Sequence, residues 1–209
     1  GDVLAGEDAA GEDVPDAPCV PEDTAATALG VVDRVSTGTF DVTVAGDVTT
    51  WTVDASAGGP AMAASNPWLY ASFADGKVDL TDVEALGSTG WNIAFKRAGI
   101  RINGGDSGAG GWLVTRIEGA SFESAAAPGR GAIWSTDEFV TDTCEVLTEG
   151  RGTPRTAFGV WYDYNPETHA VTPTADVVWG LYDPATHALW KMQIDTWTGG
   201  FFTIRVSPF

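Results

Sequence analysis

The stretch Trp91–Trp112, WNIAFKRAGIRINGGDSGAGGW, decides the fold. Its first residues alternate, with Trp91, Ile93 and Phe95 on one predicted side, which is the period-two pattern of a half-buried strand. Ile100 and Ile102 restart the alternation. Five glycines within residues 104–111 then end the strand pattern, because glycine weakens strands and permits positive φ. The stretch predicts two strands that deliver a glycine loop, and this loop is either scaffold or part of a site.

Short alternating segments on both sides of this stretch extend the β pattern. Residues 30–54 contain three β-branched segments bounded by Gly, Asp or Ser, which favour antiparallel strands. Pro67–Phe73 predicts a further strand, and Asp75-Gly76 is typical of a hairpin turn. From Thr156 onward the strand pattern becomes dense. With no long amphipathic helix, the chain is predicted to be all-β, built of layered antiparallel sheets with long loops and little helix.

The composition excludes several classes of partner. Lys and Arg number 11 and Asp and Glu 29, giving a net charge of −18, so phosphate backbones and anionic lipid surfaces should be repelled. We therefore expect no nucleic-acid partner. No run of about 18 apolar residues is present, so no transmembrane segment is expected.

The two ends of the predicted domain differ in composition. Between Gly1 and Asp33 there are nine acidic and no basic residues, a composition that cannot bury enough apolar surface to fold. We predict an acidic flexible spacer over residues 1–29 and a single β domain over residues 30–209. Cys19 and Cys144 lack CxxC spacing, so a metal or redox site is disfavoured. A disulfide in an exported protein is favoured over two free buried thiols.

Two motifs carry other interpretations that the sequence does not support. Residues 105–108, GDSG, are similar to the nucleophile segment of trypsin-like proteases, but both histidines follow the serine and neither stands in that family's histidine motif. Residues 75–82 resemble part of a calcium loop, but Ala71 and Phe73 occupy earlier ligand positions. No pair of carboxylates can be nominated for glycoside hydrolysis. We expect no catalytic residues and no resident metal.

The only histidines stand in near-duplicate contexts, YNPETHAV at residues 164–171 and YDPATHAL at residues 182–189. Asn-Pro and Asp-Pro favour type I turns, so both segments are predicted to be hairpin tips, with each histidine beginning the return strand. A histidine at a tip is either a solvated turn residue or a ligand, and imidazole binds haem iron well. Met192 alternates with core residues, whereas Met62 lies in a small-residue loop and is freer.

The chain resembles the HmuY family of bacterial surface lipoproteins. The resemblance covers residues 45–209 and is most specific in WLYASFADGKV (68–78), WNIAFKR (91–97) and IRINGG (100–105), followed by Ser107-Gly108. The segments GVWYDY (159–164) and KMQI (191–194) are also similar. The resemblance implies an all-β, HmuY-like domain that is exported and usually lipid-anchored. It further implies a family whose founding members hold haem iron between two His or Met side chains and pass the haem to an outer-membrane receptor.

Several residues depart from the family pattern, and the candidate ligands follow from what remains. The chain has Asn92 and Lys96 where the family has Asp and His. One family ligand falls in the span from Gly119 to Thr156, which contains neither His nor Met. The other falls just after the Trp161 strand, where His169 stands. The axial ligand candidates are His169 and Met62, or no protein group opposite His169. The candidates for propionate contact are Arg97, Arg101 and Arg155.

Two functions remain open from the sequence. The first is a non-enzymatic, haemophore-like, haem-binding lipoprotein domain for iron acquisition, at the cell surface or secreted, with haem or another small ligand and an outer-membrane receptor as partners. The alternative is a surface recognition or adhesion module that has the same fold but does not bind haem, because fold alone does not determine function. A hydrolase is remote.

Overall fold

The fold is known from a computed structural model, which describes residues 19–149 and 152–209. Twelve strands and two helices are described, in the order α1 (Pro21–Leu29), β1 (Phe40–Ala45), β2 (Val48–Asp54), β3 (Leu69–Ser72), β4 (Gly76–Val78), α2 (Asp82–Gly87), β5 (Ile93–Lys96), β6 (Gly99–Ile102), β7 (Leu113–Glu118), β8 (Tyr162–Tyr164), β9 (Val171–Pro173), β10 (Val177–Tyr182), β11 (Leu189–Thr198) and β12 (Phe201–Pro208). Short 3-10 turns lie at Ala63–Ser65 and Gly105–Ser107. The prediction of an all-β fold with little helix is confirmed.

The strands form three antiparallel sheets. The large sheet has the order β1-β2-β12-β11-β10-β7, the small sheet has the order β4-β3-β5-β6, and β8 pairs with β9 alone. One core cluster joins the large and small sheets, and Phe95 of β5 contacts Phe202 of β12 with ring centroids 5.4 Å apart. The two sheets are therefore packed face to face, as the alternating pattern predicts.

A second core cluster covers the other face of the small sheet. It contains Ala25 and Leu29 of α1, Ala85 of α2, and the buried rings of Tyr70 and Trp91. Trp91 therefore does not share a face with Ile93 and Phe95, contrary to the prediction, because it precedes β5 and its indole turns to donate to the carbonyl of Ala85 at 2.9 Å. The small sheet is buried on both sides.

Helix α1 changes the predicted N-terminal boundary. Residues 1–18 of the predicted spacer lie outside the described residues, but Pro21–Leu29 form a helix whose Ala25 and Leu29 are buried. Cys19 and Cys144 form a disulfide with their Cα atoms 5.8 Å apart, which ties the start of α1 to a segment of the second core cluster. The apolar residues of this helix are too few to stand out from the acidic composition around them.

The glycine loop after β6 is scaffold. Asn103 is fully buried. Its side-chain Nδ2 donates to the carbonyls of Ser88 and Trp91, and its side-chain Oδ1 accepts from the N–H group of Gly110. A Cβ on Gly105 would lie 2.1 Å from the carbonyl oxygen of Asp137, and its φ is +56°. Close approach to neighbouring backbone, and not exposure to a ligand, therefore requires the glycines here.

A buried cation lies between the small sheet and the helices. Arg101 of β6 is fully buried, and its Cζ lies 4.7, 5.2 and 5.3 Å from the ring centroids of Trp68, Tyr70 and Trp91. Its Nη2 donates to the hydroxyl of Tyr70, which donates to Asp82 at 2.9 Å. We call these five residues the Arg101 cage.

Asp82 is the anionic member of the Arg101 cage. It is fully buried at the start of α2 and also accepts from the backbone N–H groups of Val32 and Trp68, each at 2.9 Å. Burial raises the pKa of Tyr70 well above its usual value. The charge of Arg101 lowers this pKa, and the charge of Asp82 raises it. The phenol therefore remains a hydrogen-bond donor to the carboxylate throughout the physiological pH range.

We expect Asp82→Ala to lower the free energy of unfolding by about 3–5 kcal/mol, because it leaves the buried Arg101 without its anion. Urea unfolding followed by tryptophan fluorescence measures this change. Asp79→Ala is the control: this exposed carboxylate pairs with Lys77 at 3.0 Å, so its loss should cost no more than about 1 kcal/mol. Equal effects of the two substitutions would show that the cage does not stabilise the fold.

Candidate functional site

His169 lies at the tip of the β8–β9 hairpin. Asn165 N–H donates to the carbonyl of Ala170 and closes the tip, and the Asn165 side chain accepts from the backbone N–H groups of Glu167 and Thr168. His169 is exposed with φ of +57°, a left-handed conformation that is uncommon for a non-glycine residue. The predicted hairpin tip is confirmed, but His169 lies in the turn and does not begin the return strand, since β9 starts at Val171.

A tyrosine orients the imidazole of His169. The hydroxyl of Tyr164 lies 2.6 Å from His169 Nδ1, with ring centroids 6.1 Å apart. When Nδ1 carries the proton and donates to the phenol oxygen, the lone pair of Nε2 is free for a ligand. Hydrogen bonds of this kind at the second ring nitrogen fix the orientation of metal-binding histidines.

The β10–β11 hairpin repeats this arrangement. The hydroxyl of Tyr182 lies 2.6 Å from Nδ1 of His187, which is exposed with φ of +60°. His187 is thus the structural twin of His169, although only His169 was predicted as a ligand. The duplicate sequence motif already carried this signal.

Met62 lies in the loop between β2 and β3 and is 52% exposed, whereas Met192 is fully buried on β11. The backbone of Met62 is fixed by hydrogen bonds to Gly59 and Ser65. Met62 is therefore on the surface, as its loop sequence suggested. No hydrogen bond or ring contact of the described residues joins this loop to the β8–β9 hairpin.

The three arginines predicted to contact propionates lie in three different surroundings. The prediction that Arg101 contacts a propionate is wrong, because its guanidinium is enclosed in the Arg101 cage and has no exposed surface. Arg97 is half-buried, with φ of +57°, and its guanidinium donates to the carbonyls of Ser56 and Gly199. Arg155 is exposed, and its charge counteracts the rise that burial causes in the pKa of Glu149.

A groove of about 730 Å³ opens at the outer edge of β7, a size that suits small organic ligands. Its walls are β7, residues 126–135, residues 157–160 and Trp179, and we call it the β7 groove. Ile133 is 83% exposed and Val160 is 52% exposed at its walls. The lining contains no His, Met, Cys or Tyr. Sequence reasoning missed this groove, because its walls come from segments that are far apart in the chain.

Arg116 is the charged residue of the β7 groove. Its Cζ lies 5.7 Å from the ring centroid of Trp179, and its Nε pairs with Glu118 at 3.2 Å. On β7, Val114 exchanges two hydrogen bonds with Ser135, so alternate residues of this edge point outward. The backbone of Arg116 therefore faces the groove, and no hydrogen bond of the described residues satisfies it.

Asp137 connects the β7 groove to the scaffold. It is fully buried, and its carboxylate accepts from Ala157 N–H at 2.7 Å and from Ile102 N–H at 3.1 Å. Ala157 lines the groove and Ile102 belongs to β6. Burial raises the pKa of Asp137 to about 6, against the lowering caused by the Ala157 and Ile102 hydrogen bonds. This role depends on contacts with Ala157 and Ile102, which are distant in the chain, so local sequence does not reveal it.

Within residues 19–149 and 152–209, no group of three or more His, Cys, Asp or Glu side chains is arranged to hold a metal ion. Neither α1 nor α2 is long and apolar enough to cross a membrane. Ser107 of the GDSG segment is fully buried, and the carboxylate of Asp106 accepts from the backbone of Phe139 and Val140. This segment is therefore part of the scaffold.

Comparison with protein families agrees with this architecture. The model described as HmuY protein matches residues 64–198, a span from the β2–β3 loop to the end of β11. The chain belongs to the HmuY family. The comparison with curated proteins found no match. The matched span of this HmuY-family chain includes the Arg101 cage, the β7 groove and both histidine hairpins.

We expect Asp137 to make stability depend on pH. Burial raises the pKa of Asp137 from the usual 3.8 to about 6, so the folded state binds this proton more tightly than the unfolded state does. The stabilisation is complete below the lower value and is lost as pH rises through about 6, by at most about 3 kcal/mol.

Urea unfolding of the wild type and of Asp137→Asn at several pH values tests this expectation. The stability of the wild type relative to the variant should fall as pH rises from about 4 to about 7. Glu138→Gln, at the exposed neighbouring position, is the control and should follow the wild type. A wild-type-to-variant difference that does not change with pH would contradict the assignment.

Proposed function

We propose that this HmuY-family protein is a non-enzymatic haem-binding domain in which His169 ligates the iron. The observation that supports the proposal most strongly is the 2.6 Å contact between the Tyr164 hydroxyl and Nδ1 of His169, which leaves the lone pair of Nε2 for iron in the tautomer with its proton on Nδ1. His169 follows β8, the strand that begins directly after Trp161, and this is where the family resemblance predicts an axial ligand. One oriented imidazole is sufficient to ligate haem iron.

Met62 is the candidate for the opposite face of the haem, because it is the exposed methionine of the chain. For the propionates, the exposed Arg155 and the half-buried Arg97 remain candidates, whereas Arg101 is committed to the core. The net charge of −18 works against two further negative charges. We therefore propose moderate affinity that is suited to transfer of haem to a receptor.

The proposed setting is outside the cytoplasm, as a surface lipoprotein or a secreted protein that passes haem to an outer-membrane receptor. The disulfide between Cys19 and Cys144 supports an oxidising compartment. The burial of Ser107 and the separation of the two histidines on different hairpins support a binding protein over a hydrolase.

The β7 groove favours a second candidate function, recognition of an apolar ligand without iron. Its lining offers exposed aliphatic side chains, the guanidinium of Arg116 and the free backbone of the same residue, but no iron ligand. These groups suit a flat or elongated apolar molecule that carries one acidic group. This function corresponds to the recognition module that does not bind haem.

We expect Fe(III) haem added to the wild type to give a saturable Soret shift, and His169→Ala to lose it. His187→Ala is the matched control, because it removes an equally exposed imidazole from the same hairpin motif, and it should titrate like the wild type. No Soret shift with the wild type, or an unchanged shift with His169→Ala, would overturn the proposal.

Metal-free protoporphyrin separates the two candidate functions. Because it has no iron, we expect His169→Ala not to change its fluorescence titration. Saturable binding that Arg116→Ala weakens, together with an absent Soret response to haem, would favour the β7 groove as the site.

A further inference from the structure

The outer edge of β1 is an unpaired strand edge of the large sheet. All residues after Phe40 in this strand are exposed, and Val42 and Val44 are 47% and 66% exposed. The strand contains no Pro, Lys or Arg, and its register with β2 has no bulge. Proline, basic side chains and bulges are devices by which proteins protect a strand edge. Because β1 has none of them, it is open to pairing.

The other described edges are short or covered. β7 is bridged by Ser135, and on β6 the side chains of Asp137 and Thr156 bond to the backbone of Ile102 and Ile100. β4 has only three residues. Unlike β7, β1 is therefore a six-residue edge without a bridge to another described segment on its outer side.

The hydrogen-bond pattern identifies the backbone groups that are free. β1 and β2 are joined by the two residues Gly46 and Asp47, so Ala45 and Val48 form the closing hydrogen-bonded pair. Asp54 N–H donates to the carbonyl of Thr39 at the other end. Odd-numbered residues thus bond inward, and the backbones of Phe40, Val42 and Val44 point outward. No hydrogen bond of the described residues reaches them.

We infer that the occupant of this edge is β1 of a second copy, paired antiparallel about a two-fold axis centred on Val42. In this register Phe40 faces Val44, Val42 faces Val42, and Asp41 faces Thr43. All three outward residues then form hydrogen-bonded pairs, and each carboxylate faces a hydroxyl. A register centred on Asp41 would instead oppose two carboxylates, which is destabilising.

The side chains of the two strands are also complementary. Phe40, Val42 and Val44 lie on the same face as the buried Trp51 and Val53 of β2, and pairing would bring the exposed valines of both copies together. A single strand pair is small beside the about 1,200 Å² of a standard stable complex, so the dimer is weak. Each copy carries a charge of −18, so association strengthens as salt screens the repulsion.

Sedimentation equilibrium over micromolar to millimolar concentrations is the first test. The wild type should show a concentration-dependent shift from monomer to dimer mass that increases with salt. Val44→Lys should remain monomeric with unchanged thermal unfolding, because the Val44 side chain is 66% exposed, whereas that of Val42 lies next to Gly76 of β4. A monomeric wild type at all concentrations, or an equally dimeric variant, would overturn the inference.

Cysteine cross-linking tests the register. In the proposed pair the two copies of position 42 have Cα atoms about 5.5 Å apart, whereas the two copies of position 43 are diagonal neighbours at about 7–8 Å. Disulfides need Cα separations of about 4.4–6.8 Å. Val42→Cys should therefore form a covalent dimer on mild oxidation, and Thr43→Cys, at the exposed adjacent position, should form at most a tenth as much. Equal cross-linking of the two variants would rule out this register.

Discussion

The burial of one positive charge, that of Arg101, is the constraint on which the rest of the structure depends. A guanidinium without exposed surface is tolerated only when charge and hydrogen bonds compensate it. Here the compensation comes from three aromatic rings and from Asp82 through Tyr70. These groups come from β3 and the residue before it, from β6, from α2 and from the segment before β5. Because the buried charge of Arg101 needs all of these groups, it holds the small sheet and its helices in one arrangement.

Because the small sheet is fixed, the histidine hairpins and the β7 groove can lie outside the core. The large sheet packs on one face of the small sheet, and the two histidine hairpins extend from β8–β9 and β10–β11. Asp137 carries the fixed geometry outward, since one carboxylate holds both β6 and a wall of the β7 groove. Ligand contact can thus change at the tips and in the groove while the core is retained, which is how one fold supports different binding functions.

Much of the fold could be predicted, because period-two alternation and Asp-Gly or Asn-Pro turns are local signals. The side of Trp91 and the helix Pro21–Leu29 could not, since both depend on packing against distant residues. The same limit applies to the site. The duplicate histidine motif predicted the hairpin tips, but the burial of Arg101 and the walls of the β7 groove depend on segments far apart in sequence. An arginine between two isoleucines on a strand does not by itself indicate whether its face is covered.

The central claim is that the Arg101 cage stays fixed while haem contacts the β8–β9 hairpin. Paramagnetic broadening of backbone amide signals by Fe(III) haem, measured by NMR on the isotope-labelled protein, tests it most directly. We predict broadening of the signals of residues 163–170, with unchanged signals for Asp82, Arg101 and Ile102. Broadening centred on β7 and residues 126–135, or equal broadening at both histidine hairpins, would contradict the account.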